Sequence, residues 1–115
     1  MAEKIKAPLL ENIIKAYKEG LDYKLLEEKR GKKGLYSPEE PLIELYLKEI
    51  DSKEDYDITI MHEFFHHYRP NYSDEKVERS AQFVVKERPE IVDLVKEIFE
   101  LPEYESLNTA TYYRN

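Results

Sequence analysis

Residues 51–70 have the sequence DSKEDYDITIMHEFFHHYRP and predict the longest helix of the chain. Asp51 or Ser52 can cap its N-terminus, because a short polar side chain accepts hydrogen bonds from the first backbone N–H groups. Pro70 ends it, since a proline disfavours helical geometry in the residue before it. Apolar residues recur at helical spacing and form one buried stripe, made of Ile58, Met61, Phe65 and Tyr68.

The same predicted helix contains the pattern HEFFH at residues 62–66. Positions i and i+4 lie on one face of a helix, so the imidazoles of His62 and His66 can reach one metal ion. Glu63 is rotated by about 100° from His62 and can act as general base toward a water that zinc has acidified. The alternative is two surface histidines on an amphipathic helix. His67 points about a quarter-turn away and is interpreted as a surface residue.

A catalytic zinc site needs a third protein ligand, and the absence of cysteine restricts the choice to His or a carboxylate. Residues 74–87 predict a second helix, which can fold back antiparallel to the first and offers Glu75 and Glu78. His67 would be strained as a ligand beside His66. The residue pattern by itself leaves both glutamates open.

The segment ERSAQ at residues 78–82 resembles the Glu-x-x-Ala-Asp/Asn segment of glutamate-zinc peptidases, the gluzincins. In that family the first Glu binds zinc and the Ala lets the two helices pack closely. The resemblance therefore implies one Zn2+ held by His62, His66 and Glu78. Many gluzincins carry Asp where this chain has Gln82. Its amide oxygen can still accept a hydrogen bond from a zinc-bound histidine, with weaker activation of that ligand.

The rest of the chain predicts an α+β domain. Hydrophobic periodicity indicates a helix, three strands and a last helix, over about 8–19, 21–29, 34–37, 42–48 and 89–101. The first two strands flank the turn at 31–34 and are expected to form a hairpin. The expected order is an N-terminal helix, a small antiparallel or mixed sheet, the active-site helix, the glutamate helix, a C-terminal helix and an extended tail. This minimal zincin-like domain is assigned residues 1–101, and the tail residues 102–115.

Gluzincin domains share the order strand, HExxH helix, glutamate helix, and the resemblance covers about residues 42–88. In zincins an edge strand before the HExxH helix binds the peptide substrate as an added strand. The 42–48 strand occupies this place, which makes Ile43, Leu45 and Leu47 the expected substrate contacts. The alternative is an ordinary sheet strand. The reaction also needs a donor for the oxyanion, which the ten tyrosines leave undecided.

The short length and the lack of membrane segments resemble the minigluzincins, minimal relatives of membrane metallopeptidase catalytic domains. Latency caused by the C-terminus is described for that group. We therefore predict that residues 103–115 lie across the cleft, in cis or exchanged with a neighbour, and keep the enzyme inactive as a zymogen. The alternative is a tail that packs elsewhere or is disordered.

Composition limits the other function classes. The net charge of -7 argues against nucleic-acid binding, and the basic run at 29–33 is interpreted as a solvated turn rather than a binding patch. No signal peptide and no membrane span are predicted, which favours a cytoplasmic location. Abundant Glu and Lys are compatible with a thermophilic source. The sequence thus predicts a zinc peptidase; the alternatives are a non-catalytic zinc-binding interaction module and a repressor-specific protease of the ImmA/IrrE type, which the Glu-x-x-Ala segment also resembles.

Overall fold

The order of the elements confirms the predicted α+β fold. The structure is a computed structural model and describes residues 6–108. Within them lie four helices, α1 (Leu10–Lys18), α2 (Lys53–Tyr68), α3 (Asp74–Glu87) and α4 (Pro89–Ile98). The strands are β1 (Asp22–Leu26), β2 (Gly34–Ser37) and β3 (Leu42–Tyr46). Short 3-10 turns follow β3 at Leu47–Glu49 and α4 at Tyr104–Asn108.

Helices α2 and α3 begin where the sequence predicts, because serine caps define both N-termini. The hydroxyl of Ser52 accepts a hydrogen bond from the backbone N–H of Asp55 at 3.1 Å. The hydroxyl of Ser73 accepts one from the backbone N–H of Lys76 at 3.2 Å. The two helices pack against each other. No helix within residues 6–108 has the length and apolar character that crossing a membrane requires.

The three strands form a mixed sheet in the order β1-β3-β2. The central strand, β3, pairs in parallel with β1 and antiparallel with β2. The predicted hairpin between the first two strands is therefore wrong. The chain crosses from one side of β3 to the other through residues 27–33, so β1 and β2 are not neighbours.

The prediction that the 42–48 strand forms a sheet edge is also wrong. Ile43 and Leu45 are fully buried on the face of β3 that is directed toward the helices, and Leu47 lies buried in the 3-10 turn after the strand. Alternation of apolar and polar residues indicates which face of a strand is buried, but it does not indicate whether the strand has one neighbour or two. These three residues belong to the hydrophobic core.

One face of the sheet covers α2 and fixes its position. Side chains alternate along a strand, so this face carries every second residue of each strand: Tyr23, Leu25, Gly34, Tyr36, Ile43 and Leu45. The buried hydroxyl of Tyr23 donates a hydrogen bond to the backbone carbonyl of Ile60, in the middle of α2, at 3.1 Å. The sheet therefore holds the helix that carries the HExxH pattern.

The segment after α4 packs against α2 and the hydrophobic core. The hydroxyl of Tyr56 donates a hydrogen bond to the backbone carbonyl of Pro102 at 2.7 Å, and the rings of Tyr56 and Tyr104 lie 5.9 Å apart. Leu107 is buried in the core. The packed part of the chain thus extends at least to Leu107, beyond the predicted domain boundary at residue 101.

Candidate metal centre

The structure places His62 beside each of the other two predicted metal ligands, His66 on α2 and Glu78 on α3. The rings of His62 and His66, one turn apart on α2, have centroids 5.0 Å from each other. Glu78 extends from α3, and its Oε1 lies 2.8 Å from Nδ1 of His62. All three side chains are a quarter to a half exposed, so each can reach a ligand that arrives from solvent.

This donor set fits zinc in chemical type, since two imidazoles and one carboxylate are a known catalytic ligand set. The 2.8 Å contact between His62 and Glu78 is a hydrogen bond, and it shows that the carboxylate of α3 reaches the imidazole of α2. As the side chains stand, residues 6–108 contain no group of three that could hold a metal ion together. Nε2 of His66 instead lies 3.6 Å from Oδ1 of Asp74. Coordination by all three requires His66 to turn from Asp74 and the hydrogen bond between His62 and Glu78 to open.

Gln82 contacts Glu78 rather than a histidine, which corrects the predicted role. Its side-chain N–H donates a hydrogen bond to Oε2 of Glu78 at 2.7 Å. The two residues are four apart on α3, so their side chains meet on one helix face. An amide can donate to this carboxylate, whereas an Asp in the same slot could not. Glu75, the other candidate ligand, is exposed and accepts a hydrogen bond from Arg79 at 3.2 Å.

Glu63 is buried beside the histidines and has an unusual environment for a carboxylate. Only 7% of the residue is exposed, and its side chain has no hydrogen-bond partner among residues 6–108. Burial raises the pKa of Glu63 to about 7, with a further rise from Asp74, while His62 and Lys32 oppose it. Burial also lowers the pKa of His66, which favours the neutral imidazole that a metal binds. A carboxylate with a pKa near 7 can both accept and release a proton at neutral pH.

A cleft of about 270 Å3 lies over Glu63, between β2 on one side and α3 on the other. Lys32, Lys33 and Gly34 form one wall and Glu78 the other, with His62 and Glu63 on the floor. A shallower recess continues along β2 and is lined by Leu35, Tyr36, His66 and Asp74. The cleft thus follows β2, past both histidines.

Sequence reasoning missed Gly34, which it interpreted as a turn residue. A Cβ at this position would lie 3.0 Å from Cγ and 3.1 Å from Oε2 of Glu63, and 3.1 Å from Cγ2 of Thr59. Only a residue without a side chain lets β2 come this close to α2. The signal available in the sequence was a glycine at the start of a strand, which can mark a close approach of two backbones.

The chain matches no protein-family model, no curated protein and no solved structure. The residues of the site are therefore the basis for assigning its chemistry. Two features support this assignment: a His-His-Glu donor set drawn from adjacent helices, and a buried carboxylate without a hydrogen-bond partner in the described chain beside that set.

His67 is not the surface residue that the sequence predicts. Its Nδ1 lies 2.8 Å from the hydroxyl of Tyr36 on β2, and its Nε2 lies 3.0 Å from Oε1 of Glu19 at the end of α1. Glu19 can accept only from an N–H, so Nε2 carries the proton and Nδ1 accepts from the Tyr36 hydroxyl in the neutral ring. His67 therefore connects α1, α2 and β2, and Tyr36, although it lines the recess, has its hydroxyl engaged there.

The predicted position of the tail is wrong for the part that the structure describes. Residues 102–107 pack against Tyr56 and the core, and none of them lines the cleft or the recess. The physical reason is the apolar character of Tyr104 and Leu107, which are buried more effectively in the core than in an open groove. Residues 109–115 lie outside the described residues, so the prediction of latency now concerns them alone.

Proposed function

We propose that the chain is a zinc-dependent peptidase of the gluzincin type, with Glu63 as general base. The observation that supports this most strongly is the buried carboxylate of Glu63, which faces a cleft beside two histidines and a glutamate. His62, His66 and Glu78 would hold the metal. Zinc, when bound, supplies an acidified water and polarises the carbonyl of the scissile peptide bond.

The residues around the metal have separate tasks in this proposal. Glu63 takes a proton from the attacking water and later gives it to the leaving amine, which its pKa of about 7 permits. Gln82 donates to the second oxygen of Glu78 and so keeps that carboxylate oriented. Gly34 lets β2 approach Glu63 closely, so a peptide paired with the edge of β2 would lie beside the general base.

Binding of the substrate as an added strand is proposed for β2 in place of the 42–48 strand. The backbone N–H of Tyr46 donates to the carbonyl of Lys33 at 2.9 Å, which makes these two residues a hydrogen-bonded pair. Such pairs alternate along an antiparallel ladder. Gly34 and Tyr36 therefore direct their N–H and C=O groups away from β3, toward the side of β2 that pairs with no other strand of the described chain. An extended peptide can hydrogen-bond to this edge.

Hydrolysis of labelled casein by the zinc-loaded protein tests the proposal. The wild type should release peptides, and Glu63→Gln should lower the rate by at least about a hundredfold with unchanged zinc content, because the general base is lost. Glu75→Gln, an exposed glutamate on α3, is the matched control and should retain full activity. A wild type that binds zinc and cleaves nothing would contradict the peptidase and favour the non-catalytic zinc-binding module.

Latency remains part of the proposal only for residues 109–115. A truncation that ends at Asn108 leaves Leu107 in the core and should keep the domain folded. Higher casein hydrolysis by this truncation than by the full chain would support an inhibitory C-terminus. Equal rates for the two folded proteins would contradict it.

A further inference from the structure

The loop at residues 29–33 places two lysines along one wall of the cleft. Lys33 and Lys32 both line it, close to the N-terminal half of α2. Nζ of Lys33 pairs with Oδ1 of Asp55 at 2.7 Å, so its charge is compensated. Lys32 forms no ion pair or hydrogen bond with any residue between 6 and 108 through its side chain. The cleft therefore carries one uncompensated cation on this wall.

The backbone on both sides of Lys32 is held in place. The N–H of Gly31 donates to Oε2 of Glu49 at 2.5 Å, and Gly31 has a positive φ of 75° that glycine adopts without strain. On the other side, Lys33 is fixed by Asp55 and by the hydrogen bond that its carbonyl accepts from Tyr46. The Lys32 side chain is thus presented to the cleft from an ordered backbone, which is a requirement for a specific contact.

Lys32 lies close to the reacting centre. Gly34, two residues further along the chain, is in contact distance of Glu63, and Lys32 lines the same cleft as Glu63. The recess at the other end of the cleft carries the opposite charge, because Asp74 is exposed beside His66 there. A peptide lying along β2 would therefore meet a positive charge at one end and a negative charge at the other.

We propose that Lys32 determines specificity by selecting substrates that carry Asp or Glu where the peptide passes this wall of the cleft. The proposal rests on the peptidase function proposed above and adds a substrate class to it. The net charge of the chain is -7, but charges farther than about 8 Å are largely screened at physiological salt, so the nearest cation dominates. Three carboxylates of the described chain line the cleft: Asp55 is paired with Lys33, Glu78 is a ligand in the proposed site, and Glu63 is the proposed general base.

Peptide binding to the zinc-loaded Glu63→Gln variant tests the proposal without requiring turnover. The probes are fluorescent ten-residue peptides with a neutral sequence, identical except for Glu or Lys scanned through each position. At one position, the Glu63→Gln variant should bind the Glu peptide more tightly than the Lys peptide. Adding Lys32→Glu should reverse this preference and change the ratio of the two affinities by on the order of tenfold. Lys29→Glu makes the same charge change in an exposed residue that does not line the cleft, and should leave the ratio unchanged.

The outcomes separate this proposal from the peptidase assignment. Equal binding of Glu and Lys peptides at every position, or the same shift from Lys29→Glu as from Lys32→Glu, would overturn the role of Lys32 while casein hydrolysis still supports the enzyme. In the active wild-type background, Lys32→Glu should change kcat/KM for the Glu and Lys peptides in opposite directions. An equal loss of kcat/KM for both peptides would mean that Lys32 acts in the catalytic step rather than in substrate selection. That result would also overturn the proposal.

Discussion

Two buried carboxylates on α2, six residues apart, have opposite surroundings. Asp57 is 6% exposed and lies between two ammonium groups, with Nζ of Lys96 at 2.7 Å and Nζ of Lys53 at 2.9 Å. Glu63 is 7% exposed and has no hydrogen-bond partner among residues 6–108. Asp57 joins α2 to α4, whereas Glu63 faces the cleft.

Under the proposed function, the difference separates a structural carboxylate, Asp57, from a catalytic one, Glu63. A buried charge is stable when opposite charges replace its hydration, and Asp57 has two: Lys53 donates a hydrogen bond to Oδ2, and Lys96 forms an ion pair with Oδ1. Glu63 accepts no hydrogen bond from the described chain, and burial raises its pKa to about 7, so its ionised form lowers the stability of the fold. A protein retains such a group where chemistry requires it, and clusters of perturbed pKa values are typical of active sites.

Removal of the charge of Asp57 should have the largest effect on stability. Asp57→Asn removes the buried counter-ion of Lys96, which is 4% exposed, and leaves its ammonium, within residues 6–108, only the half-exposed carboxylate of Glu103 at 3.2 Å. We expect a loss of about 3–5 kcal/mol in the free energy of unfolding, measured with urea at pH 7. Asp93→Asn changes an exposed aspartate on α4 and should stay within about 0.5 kcal/mol of wild type. A similarly small change for Asp57→Asn would remove the contrast with Glu63.

The same type of substitution at Glu63 should act in the opposite direction and depend on pH. The folded pKa of about 7 lies above the ordinary value of 4.5, so the ionised carboxylate disfavours folding; this penalty is absent below pH 4.5 and complete above pH 7. Glu63→Gln should therefore stabilise the metal-free protein by up to about 3 kcal/mol at pH 8 and by much less at pH 5. Urea unfolding in the presence of a chelator measures both values. Equal stabilisation by Glu63→Gln at pH 5 and at pH 8 would contradict a raised pKa for Glu63.

The space around Glu63 can be tested with a single methyl group. The φ of Gly34 lies outside the left-handed region, so Gly34→Ala introduces no backbone strain, but its Cβ would lie within 3.1 Å of Glu63 and Thr59. We expect a loss of about 1–2 kcal/mol in stability, together with lower hydrolysis of casein, because Glu63 must move. Unchanged activity and stability would show that the close approach of β2 is not required.

The smallest effect on stability is expected from a buried hydroxyl on α3. The hydroxyl of Ser80 on α3 is buried and has no hydrogen-bond partner among the described residues. Ser80→Ala should raise the free energy of unfolding by about 1 kcal/mol, because an unsatisfied group is removed. Ser73→Ala, which deletes the cap of α3, should lower it by about 1 kcal/mol. Effects of the same sign would contradict the described hydrogen bonding of α3.

The helices could be predicted because their signals are local. Ser52 and Ser73 lie immediately before the helices that they cap, and Pro89 opens α4. Strand order could not be predicted in the same way. The pairing of β1 with β3 connects residues 20 apart in the sequence. The apolar pattern of a strand indicates its buried face but does not indicate which strands lie beside it. The error about the edge strand follows directly from this limit.

For the candidate site, helical spacing was enough to bring His62, Glu63 and His66 to adjacent faces of α2. The resemblance to gluzincins selected Glu78, which does lie against His62. The contacts of His67 and the position of Gly34 depend on how α1 and β2 pack on α2, so no pattern within one helix could predict them.

Zinc binding by the full chain tests the central claim most directly, by calorimetry and by metal analysis of the purified protein. The wild type should bind one Zn2+ per chain, and Glu78→Ala should weaken binding by at least about a hundredfold, since loss of a residue that only orients a ligand already weakens it 10–100-fold. Glu75→Ala, three residues earlier on α3, should bind like the wild type. Equal affinities for Glu78→Ala and Glu75→Ala, or a wild type that binds no zinc, would contradict the metal centre.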